Sequence, residues 1–134
     1  VSSALALLLC AAVLATAASA EYASGLGHRL GFRHIPATPS RLRSDEPPNR
    51  GCHKRDGVLG FMNRQGWAGR PMILLTDHLD DLPLIRESIL VCWFGTAKHM
   101  QVARTRAGGT RIIFCRDLND DSLLLRLGVM AAGA

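Results

Sequence analysis

Two hydrophobic periods alternate along most of the chain. Met72 to Leu75, Ile89 to Phe94 and Arg111 to Cys115 are short, nearly continuous apolar runs. That is the pattern of strands covered on both faces. Ala11 to Thr16 (AAVLAT) has the same character near the N-terminus. Between these runs the period lengthens to that of a helix. In 19–30, Tyr22, Ala23, Leu26 and Leu30 share one face, and Gly31 follows as a helix-ending glycine. Lys54 to Gln65 gathers Val58, Leu59, Phe61 and Met62 on one side, although Gly57 and Gly60 oppose a helix there. Asp81 reads as the N-cap of a helix over 82–88 with Pro83 in its first turn. Further helices are predicted over 97–106 and over Asp117 to Met130. Phe32 to Ala37 is a short extended piece, and Gly66 to Pro71 is a turn.

Strands alternating with helices imply a parallel sheet with helices on both faces. The expected fold is therefore α/β: a Rossmann-like, three-layer α/β/α arrangement with a mostly parallel sheet, in a single domain spanning 1–134. Residues 38–51 (TPSRLRSDEPPNRG) interrupt it as a polar, proline-rich loop or the stump of an insertion. No internal repeat is visible.

Composition changes this picture little. A chain of 134 residues with 48% hydrophobic and 20% charged residues suits one globular domain and excludes a disordered tail. The net charge of +5 comes from 16 basic residues scattered along the chain rather than massed in one block. The reading is a basic surface, with neither nucleic acid nor membrane as partner. Trp67 and Trp93 are read as packing residues. Cys10, Cys52, Cys92 and Cys115 lack the close pairing of a zinc site. Three of them lie in apolar runs, which favours free thiols and a cytoplasmic location.

Residues 1–20 admit a second reading. An apolar run ends in Ala18-Ser19-Ala20, a small-x-small pattern resembling a signal-peptide cleavage site. On that alternative the chain is a small secreted basic binding protein. No Lys or Arg precedes Arg29, so the positive region of a signal peptide is absent, and the strand–helix reading of 11–30 is preferred.

Ligands of open parallel sheets bind beyond the carboxyl ends of the strands. Thr16 and Asp77 fall at such ends, Asp81 lies where a helix begins, and Lys54 opens another helix. A hydroxyl, an ammonium and two carboxylates on one rim suit phosphoryl transfer. Carboxylates hold Mg²⁺ through oxygen, and metal and lysine together neutralise phosphate charge.

In this order and spacing, VLAT ending at Thr16, CHK ending at Lys54 and TDHLDDL over 76–82 resemble the second, third and fourth motifs of haloacid dehalogenase-like phosphohydrolases. The run from Val13 to Thr38 is similar to the segment following the second motif in the phosphoserine-phosphatase-like branch. The resemblance covers about residues 11–94.

It implies that Thr16 binds a phosphoryl oxygen and that Lys54 steadies the nucleophile and the transferred group. Asp77 would be a direct Mg²⁺ ligand and Asp81 a second acidic ligand, direct or through water. Thr76 stands where the family usually has Gly. Asp80 does not match and is read as a solvated neighbour, as are Asp117, Asp120 and Asp121. His53 and His78 are read as substrate-side or solvent-facing, because Mg²⁺ prefers oxygen.

The family attacks phosphate with an aspartate of a D-x-D pair, forming an aspartyl-phosphate. No Asp occurs before Asp45 here. The resemblance therefore implies an N-terminally truncated phosphatase for a small phosphorylated metabolite, inactive alone because its nucleophile is missing. It also implies a sheet edge exposed where the nucleophile strand belongs.

Overall fold

A computed structural model describes Val13, Ala15, His28, Arg29, His34 and residues 50–116. The predicted helix over 117–130, Thr16 and most of the loop 38–51 lie outside the described residues. The chain divides into two compact units, Val1–Ala68 and Gly69–Ala134.

In the first unit, Val13 and His34 form an isolated parallel bridge. They fall on the two pieces expected to be extended. His28 and Arg29, inside the predicted helix 19–30, have helical backbone. Helix α1 spans Gly51–Arg64 and begins three residues before the expected start at Lys54. The added turn is held by the Arg50 carbonyl, which accepts from the amides of His53 (3.0 Å) and Lys54 (3.2 Å). No side chain caps this end. At the other end the Trp67 amide donates to the Met62 carbonyl at 2.8 Å and folds the chain back. Trp67, Phe61 and His34 then meet ring to ring, with centroids 5.1–5.9 Å apart. Trp67 is thus a packing residue, as expected.

Gly60 sits inside α1, where a Cβ would meet nothing closer than the end of the flexible Arg64 side chain at 3.4 Å. Replacing a helix-interior glycine removes backbone freedom from the unfolded chain. Gly60→Ala is expected to raise stability by about 0.5–1 kcal/mol, read from a higher urea midpoint.

The second unit is a small α/β domain with a three-stranded parallel sheet flanked by helices. After a turn, β1 (Ile73–Thr76) leads through a short 3-10 turn (Leu79–Asp81) into α2 (Leu82–Glu87). Then follow β2 (Leu90–Trp93), α3 (Ala97–Arg106) and β3 (Arg111–Phe114). The strand order is β1-β2-β3. Leu74 pairs with Val91 and Val91 with Ile112, while Thr76 pairs with Trp93 and Trp93 with Phe114. Among the described residues β1 and β3 pair only with β2.

Alternation along the strands puts Leu74, Thr76, Val91, Trp93, Ile112 and Phe114 on one face. Val91, Trp93 and Ile112 form one cluster with Ile85 of α2, Met100 and Ala103 of α3, and Ala107, so both helices cover that face. The four residues of β2 are fully buried, which explains its unbroken apolar run. Helix α3 is bracketed by local signals. Thr96 Oγ1 accepts from the His99 amide at 3.2 Å as N-cap. Gly108 and Gly109 follow at positive φ (67° and 111°), which lets the chain reverse into β3. No helix among the described residues is long and apolar enough to cross a membrane.

Candidate functional site

The three parallel strands end on a common rim, and the first of them carries the acidic motif there. Thr76 is the last residue of β1 and Asp77 the first beyond it. From 71 to 85 the chain has three aspartates and no Lys or Arg, so negative charge is concentrated at this end of β1. Asp77 is exposed. Its backbone is anchored from the neighbouring strand: the Phe94 amide donates to the Thr76 carbonyl at 2.9 Å.

Asp81 behaves differently from the sequence expectation. It occupies the residue before α2, but its side chain makes no capping bond there. Pro83, in the first turn of α2, removes one of the amides that an N-cap carboxylate would accept from. Instead, the Thr76 hydroxyl donates to Asp81 Oδ2 at 2.6 Å, and both residues are buried (7% and 8% exposed). The same hydroxyl oxygen accepts from the His78 amide at 3.3 Å.

His78 serves the turn. Its Nδ1 accepts from the Asp80 amide at 3.0 Å, which caps the 3-10 turn. The same Nδ1 lies 3.5 Å from Asp80 Oδ2. Asp80 is exposed and is the solvated neighbour expected.

The second and third strand ends complete the rim. Trp93, fully buried, donates from Nε1 to the Thr96 carbonyl at 2.9 Å. The Cys115 amide donates to the Trp93 carbonyl at 2.8 Å. Gly95 fits where a side chain does not: a Cβ there would lie 2.6 Å from the Asp77 carbonyl oxygen and 2.9 Å from Trp93 Nε1. It is the glycine that lets the loop after β2 pass close to Asp77.

Of the four residues singled out in the sequence, Asp77 and Asp81 stand four residues apart in the connection from β1 to α2. Thr16 lies outside the described residues. Lys54 belongs to the first unit, half-buried in the first turn of α1, where it is engaged in an interaction of its own. The sequence reading missed the part played by Thr76 and passed over Gly95. The separation of hydroxyl and carboxylate by five residues was visible as a signal, whereas Gly95 had none.

No group of three or more His, Cys, Asp or Glu side chains among the described residues is disposed to hold a metal ion. Two carboxylates nevertheless suit Mg²⁺, which usually retains several waters and takes only one or two protein carboxylates. Compared with known protein families, curated proteins and solved structures, the chain matches none.

Proposed function

We propose that the end of β1 is the acidic, Mg²⁺-binding part of a phosphohydrolase site of the haloacid dehalogenase-like kind. The observation that carries this reading is the pairing of an exposed Asp77 at a parallel strand end with a buried, hydrogen-bonded Asp81 four residues later. A carboxylate used only to start a helix would reach over the first amides of α2. This one turns back to the strand end.

In this reading Asp77 is the direct ligand, because it stands in solvent at the rim. Asp81 contributes directly or through water. Bound there, Mg²⁺ would neutralise and orient a phosphoryl group. Asp77 and Asp81 hold the cation, and the Gly95 loop keeps the Asp77 backbone in place. Thr16 and Lys54 are proposed for phosphate contact on the resemblance alone. So are the finer fold, an incomplete core of that superfamily, and the substrate, a small phosphorylated metabolite. The nucleophilic aspartate is not part of this reading of 1–134, so the chain by itself should show no phosphatase turnover.

Calorimetric titration of the chain with Mg²⁺ tests the reading. Saturable binding is expected, and Asp77→Asn should weaken it by roughly tenfold or more, because an amide oxygen lacks the ligand charge. Binding unaffected by that substitution would refute the assignment. Hydrolysis of p-nitrophenyl phosphate by the pure chain, lost in Asp77→Asn, would support a metal site and overturn the missing nucleophile.

A further inference from the structure

We infer that Cys92 and Cys115 are a redox-sensitive pair that closes a reversible disulfide between β2 and the end of β3, with a small-molecule disulfide as oxidant. The inference does not depend on the cation reading of the β1 end.

The sheet register brings the two thiols together. Cys92 on β2 is the partner of Ile113 on β3. Residues two apart on a strand share a face, so Cys115 stands on the same side as Cys92, diagonally across the strand pair. The ladder continues far enough to hold it there, because the Cys115 amide donates to the Trp93 carbonyl at 2.8 Å. The Cys115 side chain leans back along β3, with Sγ 3.9 Å from the Ile113 carbonyl oxygen. That direction returns the sulfur toward the level of Cys92, and the two thiols are hydrogen-bonded. Both are free and buried, with 0% of Cys92 and 6% of Cys115 exposed.

A disulfide needs its sulfurs at about 2.05 Å and its Cα atoms within roughly 4.4–6.8 Å. Closing the pair from hydrogen-bond contact therefore asks for a small shift of one residue. Cys115 is the residue able to make it, since it lies just past Phe114, the last residue of β3. The ring closed over 92–115 encloses α3 and ties together the two strands that α3 connects. A cross-link between elements already in register constrains the unfolded chain more than the folded one.

The chemistry balances with oxidised glutathione as the oxidant. Cys115, the more exposed thiol, attacks as thiolate, forms a mixed disulfide and releases one glutathione thiolate. The Cys92 sulfur then attacks the Cys115 sulfur, so that the protein disulfide forms and the mixed one breaks. The second glutathione leaves with the Cys92 proton. The pair has lost two hydrogens with their electrons, and the oxidant has become two thiols. Burial pushes the Cys92 thiol up to about 12, which makes it the second nucleophile and not the first.

The test equilibrates the full 134-residue chain with reduced and oxidised glutathione, folded in buffer and unfolded in urea. Free thiols are trapped with N-ethylmaleimide in denaturant, and tryptic peptides are mapped by mass spectrometry. Cys92 and Cys115 fall on separate peptides, 87–98 and 112–116. The ratio of linked to fully reduced pair should be roughly tenfold or more higher in the folded chain than in urea. Cys52, exposed on α1, should take up glutathione singly and serves as the internal comparison.

By linkage, the folding equilibrium constant of the cross-linked chain should rise by the same factor, read as a higher urea midpoint that dithiothreitol reverses. A reduced folded chain in which the pair never closes would overturn the inference. So would a folded ratio equal to or below that in urea, a midpoint left unchanged or lowered by the cross-link, or closure onto Cys52 instead.

Discussion

Gly95→Ala should lower the stability of the β1–β3 unit by about 3 kcal/mol, a large loss for one methyl group. The added Cβ would stand 2.6 Å from the Asp77 carbonyl oxygen, 2.9 Å from Trp93 Nε1 and 3.0 Å from Trp93 Cε2. None of these atoms is the end of a mobile side chain. Asp77 directly follows Thr76, whose carbonyl accepts from the Phe94 amide at 2.9 Å. The Trp93 ring is completely buried and tied to the Thr96 carbonyl. Relief therefore requires moving two strand ends apart or displacing the largest fully buried side chain among the described residues.

Urea unfolding followed by tryptophan fluorescence measures the loss, in a Trp67→Phe background so that Trp93 alone reports. Gly60→Ala, whose new methyl meets no backbone, serves as the opposite-signed control. A variant within about 0.5 kcal/mol of wild type would show that the strand ends are free to shift, contrary to the packing described.

The contrast between these two glycines shows what the amino-acid order could convey. Helix α3 was legible to the residue because its limits are set locally, by the Thr96 cap and the Gly108-Gly109 reversal. Strand β2 was legible because burial on both faces leaves only apolar residues; β1 and β3 were read from apolar runs of the same kind, although β3 leaves Arg111 and Phe114 exposed. The start of α1 was missed by three residues because Arg50 caps with its carbonyl alone, which no side chain announces.

The site divides in the same way. Asp77 and Asp81 stand out because a strand end and a helix start can be read from nearby residues. The part played by Asp81 was misjudged because Asp before Leu-Pro looks like a cap, whereas the deciding contact is made with the strand. Gly95 was invisible because the atom it must avoid belongs to the loop of a different strand. Local patterns predicted elements, and close approaches between elements required coordinates.

A second large effect is expected in alkaline solution, where Cys92 should make the fold sensitive to pH. Cys92 lies on the sheet face opposite α2 and α3, and none of it is exposed. Its register partner on β3 is Ile113, and Cys115 follows two residues later. Burial pushes the Cys92 thiol from 9.0 up to about 12, and the charge and hydrogen bonding of the neighbouring Cys115 thiol push in the same direction. The folded state thus holds this proton more tightly than the unfolded chain does. Its stabilising contribution is complete below about pH 9 and is lost progressively as pH rises toward about 12. Each pH unit in that window removes on the order of 1 kcal/mol.

Other ionisable groups are shared by wild type and Cys92→Ala. The expected result is therefore a difference in slope. Urea-derived stability of wild type should fall faster than that of Cys92→Ala above pH 9, by about 1 kcal/mol per unit, whatever offset the smaller side chain introduces at neutral pH. Cys115→Ala should retain the effect of burial and lose that of the neighbouring thiol, so its excess loss ends at a lower pH. Parallel curves for wild type and Cys92→Ala would mean that the thiolate is accommodated inside the sheet, which the burial of β2 opposes.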